Sequence, residues 1–221
     1  MKYDLKKMYT RAIALREPWV SRWADARKYT IPTTNEDSAM LFDATAADAA
    51  DNLAACMYSL LTPPESLWLN LVPESPESPD AETATLALRA NLNDSNFYTT
   101  VHQCYMDLVT LGTACLFMAE SPIGAASAFT FTAIPMTDIA ILPNAVFHTA
   151  AITLQDVATR YPEWIPPREF RDKMKQNPES TVRLVQALVD TEFTAWLDVG
   201  GDIENNIVSR GEFETNPYAQ R

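Results

Sequence analysis

The chain has 221 residues, 47% of them hydrophobic and 21% charged, with a formal net charge of −12. This composition supports one sizeable core or two small lobes and argues against wholesale disorder. Five glycines stand against fifteen prolines, so glycine-rich phosphate loops are poorly represented. No uncharged run reaches membrane-spanning length, and the charged amphipathic segment after Met1 is unlike a signal peptide. We expect a protein that functions without entering a membrane.

The charge is unevenly distributed along the chain. Residues 1–30 hold eight Lys/Arg against three Asp/Glu, a net charge of +5, so the rest of the chain carries −17. Residues 31–88 contain no Lys or Arg. This asymmetry is typical of an ordinary acidic protein with one basic helix. It also fits a surface that repels polyanions beside an arm that contacts something acidic.

The first long element is a predicted helix over residues 3–29, where apolar residues recur every three or four positions. Pro18 lies inside this pattern and either kinks the helix or opens a second one. Residues 33–40 are expected to form a polar loop.

The segment LFDATAADAADNLAACMYSLLTPPESLWLNL, residues 41–71, predicts a packed helix with a fixed end. Asp43 or Thr45 can cap its start, and Asp48 and Asp51 favour the positive end of the helix dipole. Two consecutive prolines stop the helix. Its large apolar stripe consists of Leu53, Met57, Leu60 and Leu61. Small residues surround that stripe and allow neighbours to approach closely; they are Ala46, Ala47, Ala50 and Ala54.

Further elements follow the two prolines. Residues 67–71 predict a short buried strand, and residues 73–80, PESPESPD, an exposed acidic linker. Two helices are expected around residues 81–93 and 97–111, and Gly112 is the natural stop of the second.

From residue 113 onward, short β-rich runs divided by Pro, Gly and Asn replace the helical periodicity. They occupy residues 113–120, 127–134, 138–142, 145–152, 181–189, 192–199 and 205–214. Short helices are expected near residues 153–161 and 168–176. Helices followed by strands predict an α+β fold, with long N-terminal helices packed with a mainly antiparallel β-rich region. We divide the chain into a helical region, residues 1–112, and a β-rich region, residues 113–221.

Catalytic and metal-binding motifs are missing from the sequence. The two histidines, His102 and His148, form neither an HExxH pair nor another metal pair, and single histidines are usually surface or packed residues. Asp48 and Asp51 share a helix face, but capping explains them better than two-carboxylate catalysis. We expect no enzyme, no catalytic residue, no cofactor-binding residue and no metal site.

Three other residue classes have simple interpretations. The cysteines lie in apolar runs without CxxC spacing, which favours buried thiols in a reducing cytoplasm; they are Cys56, Cys104 and Cys115. The five tryptophans lack interleaved basic residues, so core positions are expected. The basic residues within 168–175 can contact phosphates, but Glu169 and Asp172 intervene and favour a solvated helix face.

Several pieces of the sequence occur in an order that points to one family. They are REPWVSRWADARKYTIP (16–32), the alanine-rich segment ending in Leu-Thr-Pro-Pro and a tryptophan (41–71), LVTLGTACLFMAE (108–120), ITLQDVATRYP (152–162) and GEFETNPYAQR (211–221). Together they resemble the portal, or head-to-tail connector, protein of short-tailed, podovirus-type bacteriophages. The Asp-Ala-Thr start and the Leu-Thr-Pro-Pro end of the alanine-rich segment are the specific part.

The resemblance implies a structural protein of the virion, made in the host cytoplasm and located at the portal vertex of the capsid. Portal subunits form a dodecameric ring that nucleates capsid assembly, admits and ejects double-stranded DNA, and holds the tail. Implied partners are further copies of the chain, the major capsid protein, the scaffolding protein, the terminase packaging motor, tail adaptor proteins and the DNA. Portal proteins are longer than this chain, so it would cover mainly the N-terminal "wing" part, with residues 113–221 as the β-rich wing region.

Other interpretations remain open at this point. One is a tail adaptor or another connector protein of the virion. A second is a small hydrolase that uses His102 or His148 with a carboxylate. A third is a cellular scaffold domain unrelated to phages.

Overall fold

The computed structural model describes residues 3–30, 43–73, 80–199 and 203–212. The α-helices in these ranges are α1 (Leu5–Thr30), α2 (Thr45–Leu61), α3 (Ala81–Asp94), α4 (Phe97–Leu111), α5 (Leu154–Arg160) and α6 (Arg168–Gln176). The strands are β1 (Leu116–Glu120), β2 (Phe129–Ala133), β3 (Ile139–Leu142), β4 (Ala145–Thr153), β5 (Thr181–Val189), β6 (Glu192–Leu197) and β7 (Ile207–Glu212). Both sheets are antiparallel, which confirms the predicted α+β class.

The chain divides into two compact units. Unit 1 comprises residues 1–18 and 137–221, and unit 2 comprises residues 19–136. The boundary falls inside α1, which continues through Pro18 as one helix instead of starting again there. The division at residue 112 follows the change of secondary-structure type and stays a prediction. The predicted polar loop at 33–40 and most of the acidic linker lie outside the described residues.

Unit 1 is built on a five-stranded meander in the order β3-β4-β5-β6-β7. Its N-terminal helical segment packs on one face, where the Tyr9 ring lies 5.5 Å from Phe147 and 5.7 Å from Trp196. Helices α5 and α6 cover the other face through Leu154 and Phe170. Strand β5 supplies side chains to both cores, as its period of two requires.

Unit 2 combines α2, α3 and α4 with the β1–β2 hairpin. The hairpin is fixed to the α3–α4 corner by Asn96, whose Nδ2 donates to the Phe131 carbonyl at 2.7 Å. The Asn96 Oδ1 accepts from the Phe131 amide at 2.8 Å. One side chain thus satisfies both backbone groups of a strand residue, as a neighbouring strand would.

Helix α2 buries two alanines, whereas its leucines are exposed. Ala50 and Ala54 are its buried residues and face the side that packs against α4. The large side chains Leu53, Leu60 and Leu61 are 53%, 79% and 54% exposed. The large apolar stripe is therefore mostly exposed on this helix. The expectation that small residues allow a close approach agrees with the burial of the two alanines.

The segment after the prolines is not the strand predicted at residues 67–71. It pairs with no strand among the described residues, and Leu67 is 54% exposed. Side chains take over the role of a ladder: the Leu71 amide donates to Thr85 Oγ1 at 3.0 Å. Trp68 anchors the segment by stacking on Phe97 at 5.8 Å. The apolar run therefore forms an irregular segment that side chains hold in place instead of a neighbouring strand.

The close packing of α2 gives a test of the fold. Ala54→Leu places three extra heavy atoms in a site with no exposed surface, and we expect it to lower the free energy of unfolding by about 1–3 kcal/mol. Ala55→Leu is the matched control, because Ala55 is the exposed neighbour on the same helix. Urea denaturation followed by circular dichroism measures both. Equal stability of the Ala54→Leu variant and the parent would contradict the close approach of α2 and α4.

Candidate functional site

His148 is packed in a chain of hydrogen bonds in unit 1. Gln186 Nε2 donates to the Tyr161 hydroxyl at 2.7 Å, which leaves Oε1 to accept from His148 Nδ1 at 3.1 Å. Burial lowers the pKa of His148, against smaller opposing effects of the Gln186 bond and Asp138. The imidazole is therefore held neutral. The partner of its Nδ1 is an amide, whereas the hydrolase interpretation needs a carboxylate in hydrogen-bond contact.

His102 lies in unit 2 and has a packing role. Its ring meets Tyr58 edge-on at 5.7 Å, which joins α4 to α2. The two histidines therefore belong to different units, and each is explained by its neighbours. Among the residues the structure describes, no group of three or more His, Cys, Asp or Glu could hold a metal ion.

The predicted acidic pair of α2 lines an open cleft of unit 2. The cleft has a volume of about 490 Å³, and Asp48 and Asp51 share it with Arg27 and Asp107. Arg27 Nη2 lies 3.7 Å from Asp107 Oδ1. Burial raises the pKa of Asp107, and Arg27 partly offsets this effect. Asp43 Oδ1 accepts from the Thr45 amide at 3.1 Å, but the N-cap position of α2 is Ala44 and has no side-chain capping bond.

The cysteines differ from the expectation at one position. Cys104 is buried and Cys115 half-buried, and burial raises the pKa of the Cys104 thiol to about 11 and also raises the pKa of Cys115. Both stay protonated and unreactive at neutral pH. Cys56 is exposed on α2, so the prediction that it is buried is wrong. Its exposure follows from the orientation of α2, which turns the alanines inward.

The tryptophans and the basic helix were predicted with mixed success. Trp23 and Trp196 are buried as expected, but Trp19 is 51% exposed. The Arg22 guanidinium lies 5.0 Å from the Trp19 ring centroid and covers part of it. All basic side chains of α6 are exposed, which confirms the solvated face. Within this helix, Arg168 Nε lies 3.7 Å from Asp172 Oδ2.

The negative charge is concentrated in unit 2. Its residues comprise four Lys/Arg and fourteen Asp/Glu, a net charge of −10, whereas unit 1 has thirteen and fifteen, a net charge of −2. The sequence showed that charge is unevenly distributed along the chain, but the fold was needed to assign the negative charge to unit 2. Unit 2 also carries large exposed apolar side chains on α1, α2 and β1, including Trp19, Leu60 and Met118. The arrangement suits contacts between macromolecules.

The environment of His148 predicts a pH dependence of stability. Since the folded-state pKa lies below the ordinary 6.5, the unfolded chain takes up a proton first as the pH falls. The stabilisation is complete above about pH 6.5 and decreases as the pH falls towards the lower folded-state pKa. We expect the free energy of unfolding to decline between pH 7.5 and 5.5 and His148→Asn to remove most of that decline. His102→Asn, the control, should retain it; an unchanged slope in the His148 variant would contradict the neutral buried imidazole.

The burial of the Arg27–Asp107 pair determines how stability changes when the carboxylate is removed. A simple ion-pair argument predicts a loss of stability, whereas the burial of the carboxylate predicts none. The raised pKa means that the charged carboxylate costs stability above that pKa, and the cost is relieved as the pH falls through it. Asp107→Asn should therefore leave stability at pH 7 unchanged or higher. Arg27→Gln leaves the carboxylate uncompensated and should lower stability by about 1 kcal/mol.

Urea unfolding of these two variants and the double variant, at pH 7 and pH 4.5, measures the interaction. The loss in Arg27→Gln should shrink at pH 4.5 and disappear when Asp107→Asn is added. A large loss of stability in Asp107→Asn alone would show that the ion pair outweighs the cost of burial.

Comparison with models of known protein families identifies the family of this chain. A comparison with curated proteins finds no match. The family model described as bacteriophage head to tail connecting protein matches residues 2–220, almost the whole chain. None of the described helices is long and apolar enough to cross a membrane. The resemblance seen in the alanine-rich segment and its flanking pieces is confirmed, and the chain belongs to the family of bacteriophage head-to-tail connecting proteins.

Proposed function

We propose that this chain is a portal subunit that assembles into a dodecameric ring at one vertex of the capsid. The observation that carries the proposal is the family match over residues 2–220, which makes the protein a phage head-to-tail connector and a component of the virion. A connector needs surfaces for capsid and tail proteins, and the exposed apolar side chains of unit 2 supply such surfaces.

The charge of the chain supports a role in passing double-stranded DNA during packaging and ejection. A DNA-binding surface gains affinity by neutralising phosphates with Lys and Arg and releasing counterions. Unit 2, with its net charge of −10, does the opposite and repels the backbone. A channel lined by such a surface lets DNA move without being held. The exposed basic helix α6 belongs to unit 1, and Glu169 and Asp172 partly cancel its positive charge.

The proposed partners follow from the same role. The ring meets the major capsid protein and the scaffolding protein during assembly in the host cytoplasm, then the terminase motor, and finally the tail adaptor proteins. We propose no reaction for the ring, because its role is to provide twelve equivalent binding surfaces around a channel. His148 and the buried thiols are accounted for by packing and do not require a reaction.

Negative-stain electron microscopy and native mass spectrometry of the purified chain test the proposal. We expect rings with a central hole and a mass corresponding to twelve copies of the 24.7 kDa chain. A tail adaptor or other connector component would show a different symmetry or stoichiometry. A monomer at all concentrations would overturn ring closure by this chain and leave its family membership intact. Double-stranded DNA added at physiological salt should not shift the mass, and tight binding would contradict the repelling channel.

A further inference from the structure

The backbone of β1 alternates between bonds to β2 and groups that point away from it. Two bonds flank the ladder: the Ile134 amide donates to the Cys115 carbonyl at 2.9 Å, and the Ser121 amide donates to the Ala128 carbonyl at 2.9 Å. Both bonds continue the register of the β1–β2 pairing. Hydrogen-bonded pairs recur at every second residue of an antiparallel ladder, so the odd-numbered residues of β1 bond to β2. The even-numbered residues direct their amides and carbonyls outward.

The outward-facing residues of β1 are Leu116, Met118 and Glu120, and each brings one N–H and one C=O group to this edge. Among the residues that the structure describes, none bonds to these groups. Side chains on both faces of the strand are also open to solvent, since Met118 is 57% and Phe117 36% exposed. We call this row of outward backbone groups the β1 edge.

The other edges of the two described sheets are protected. On the far side of the hairpin, the Asn96 side chain bonds both backbone groups of Phe131. At the β3 edge, the Arg16 guanidinium donates to the Ile139 carbonyl at 3.0 Å. At the β7 edge, the pairing has a register shift and the outer strand carries charged residues. Sheets use such devices to prevent pairing with other chains. Strand β1, LFMAE, has no proline, basic residue or register shift.

An unpaired strand edge is complementary to an extended backbone that adds a third strand. Met118 lies directly opposite Phe131, so Leu116 and Met118 share the face of the hairpin that carries this buried ring. They remain exposed because β1 is the outer strand. Side chains on an added strand would lie about 5 Å from them. Apolar residues at alternate positions of the added strand would therefore extend the core of unit 2.

The charge of the β1 edge restricts its partner further. Glu120 lies on the edge itself and is exposed, and unit 2 has a net charge of −10. A Lys or Arg opposite Glu120 forms a favourable cross-strand pair. A second copy of β1 would bring the same carboxylate and the same charged unit, which opposes association. Charge complementarity thus favours a basic segment of a different protein.

We propose that the β1 edge binds an extended, basic segment of another protein of the phage particle as a third strand. The segment has apolar residues opposite Leu116 and Met118 and a basic residue opposite Glu120. This inference goes beyond the proposed ring, because a single copy already carries the whole β1 edge. It gives the connector one defined surface on which a partner is held through its backbone.

A synthetic peptide containing Lys-Thr-Val-Thr-Val tests the β1 edge of the full chain. In an antiparallel arrangement its Lys lies opposite Glu120 and its two Val residues lie opposite Met118 and Leu116. We expect fluorescence anisotropy of the labelled peptide to show binding. N-methylation of the two Val residues removes the donors that face β1 and should abolish binding, whereas N-methylation of the two Thr residues, the control, should preserve it. Replacing Lys by Glu should weaken binding about threefold or more.

A pair of variants tests the same edge from the side of the protein. Met118→Pro removes an outward amide without removing a bond to β2, a position that an edge strand tolerates. Its melting temperature should stay close to that of the parent, and its affinity for the peptide should fall about tenfold or more. Met118→Val, the control, keeps the amide and an apolar side chain and should bind like the parent.

The outcomes separate the β1 edge from the ring. Binding that is lost on N-methylation of the Val residues and in Met118→Pro supports the proposal. A parent chain that does not bind the peptide, or binds both N-methylated peptides equally, overturns it. Self-association of the parent that Met118→Pro abolishes would show that a second copy is the partner, which also overturns it. Rings without peptide binding leave the ring standing, and a monomer that binds the peptide leaves the β1 edge standing.

Discussion

The close packing of α2 on α4 is the constraint from which the surface of unit 2 follows. Ala54 has no exposed surface, and Ala50 is almost as buried. A helix that turns its small residues inward can approach its neighbour more closely than one that buries leucine, and its large residues must then point outward. The exposure of Leu53, Cys56 and Leu60 therefore follows from the packing of α2 on α4.

Several side-chain hydrogen bonds hold the segments around this packing in place. The Tyr105 hydroxyl donates to Thr62 Oγ1 at 3.4 Å beside the end of α2, and Trp68 Nε1 donates to the Tyr98 hydroxyl at 3.3 Å. Arg89 holds the carbonyls of the proline turn, with Nη2 at 3.1 Å from the oxygen of Glu65. These bonds fix the turn and keep the irregular segment in place without a sheet. The rigidity of α2 thus depends on both its alanine contact and the tether that follows it.

Local chemistry allowed most of the elements to be predicted. Gly112 ends α4 with a φ of 75°, a conformation that glycine adopts at little cost. Thr153 caps α5 by accepting from the Asp156 amide at 3.1 Å. Such signals act over a few residues and are therefore visible in the chain. The errors at residues 67–71 and on α2 have a different origin: a strand needs a partner, and an apolar stripe packs inward only if a neighbour lies on that side.

The exposed apolar surface of unit 2 could be predicted only in part for the same reason. Periodicity shows that the residues of α2 are apolar, but a core contact and a contact between copies have the same pattern. Trp19 and Cys56 were assigned to the core because burial is the usual state of these residue types. Only the position of α4 shows which face of α2 is already covered. The spacing of Leu53, Cys56 and Leu60 was visible in the sequence, but only the structure shows that these residues are exposed.

Electrostatics then limit how copies of this chain can associate. Each copy brings a unit 2 with a net charge of −10, and like charges on neighbouring copies oppose assembly. Salt screens this repulsion beyond about 8 Å at physiological ionic strength, so the contact itself must be apolar or locally complementary. The basic residues of 1–30, with a net charge of +5, are the main offset in the sequence. Any contact between copies must therefore either exclude the carboxylates of unit 2 or place basic residues opposite them.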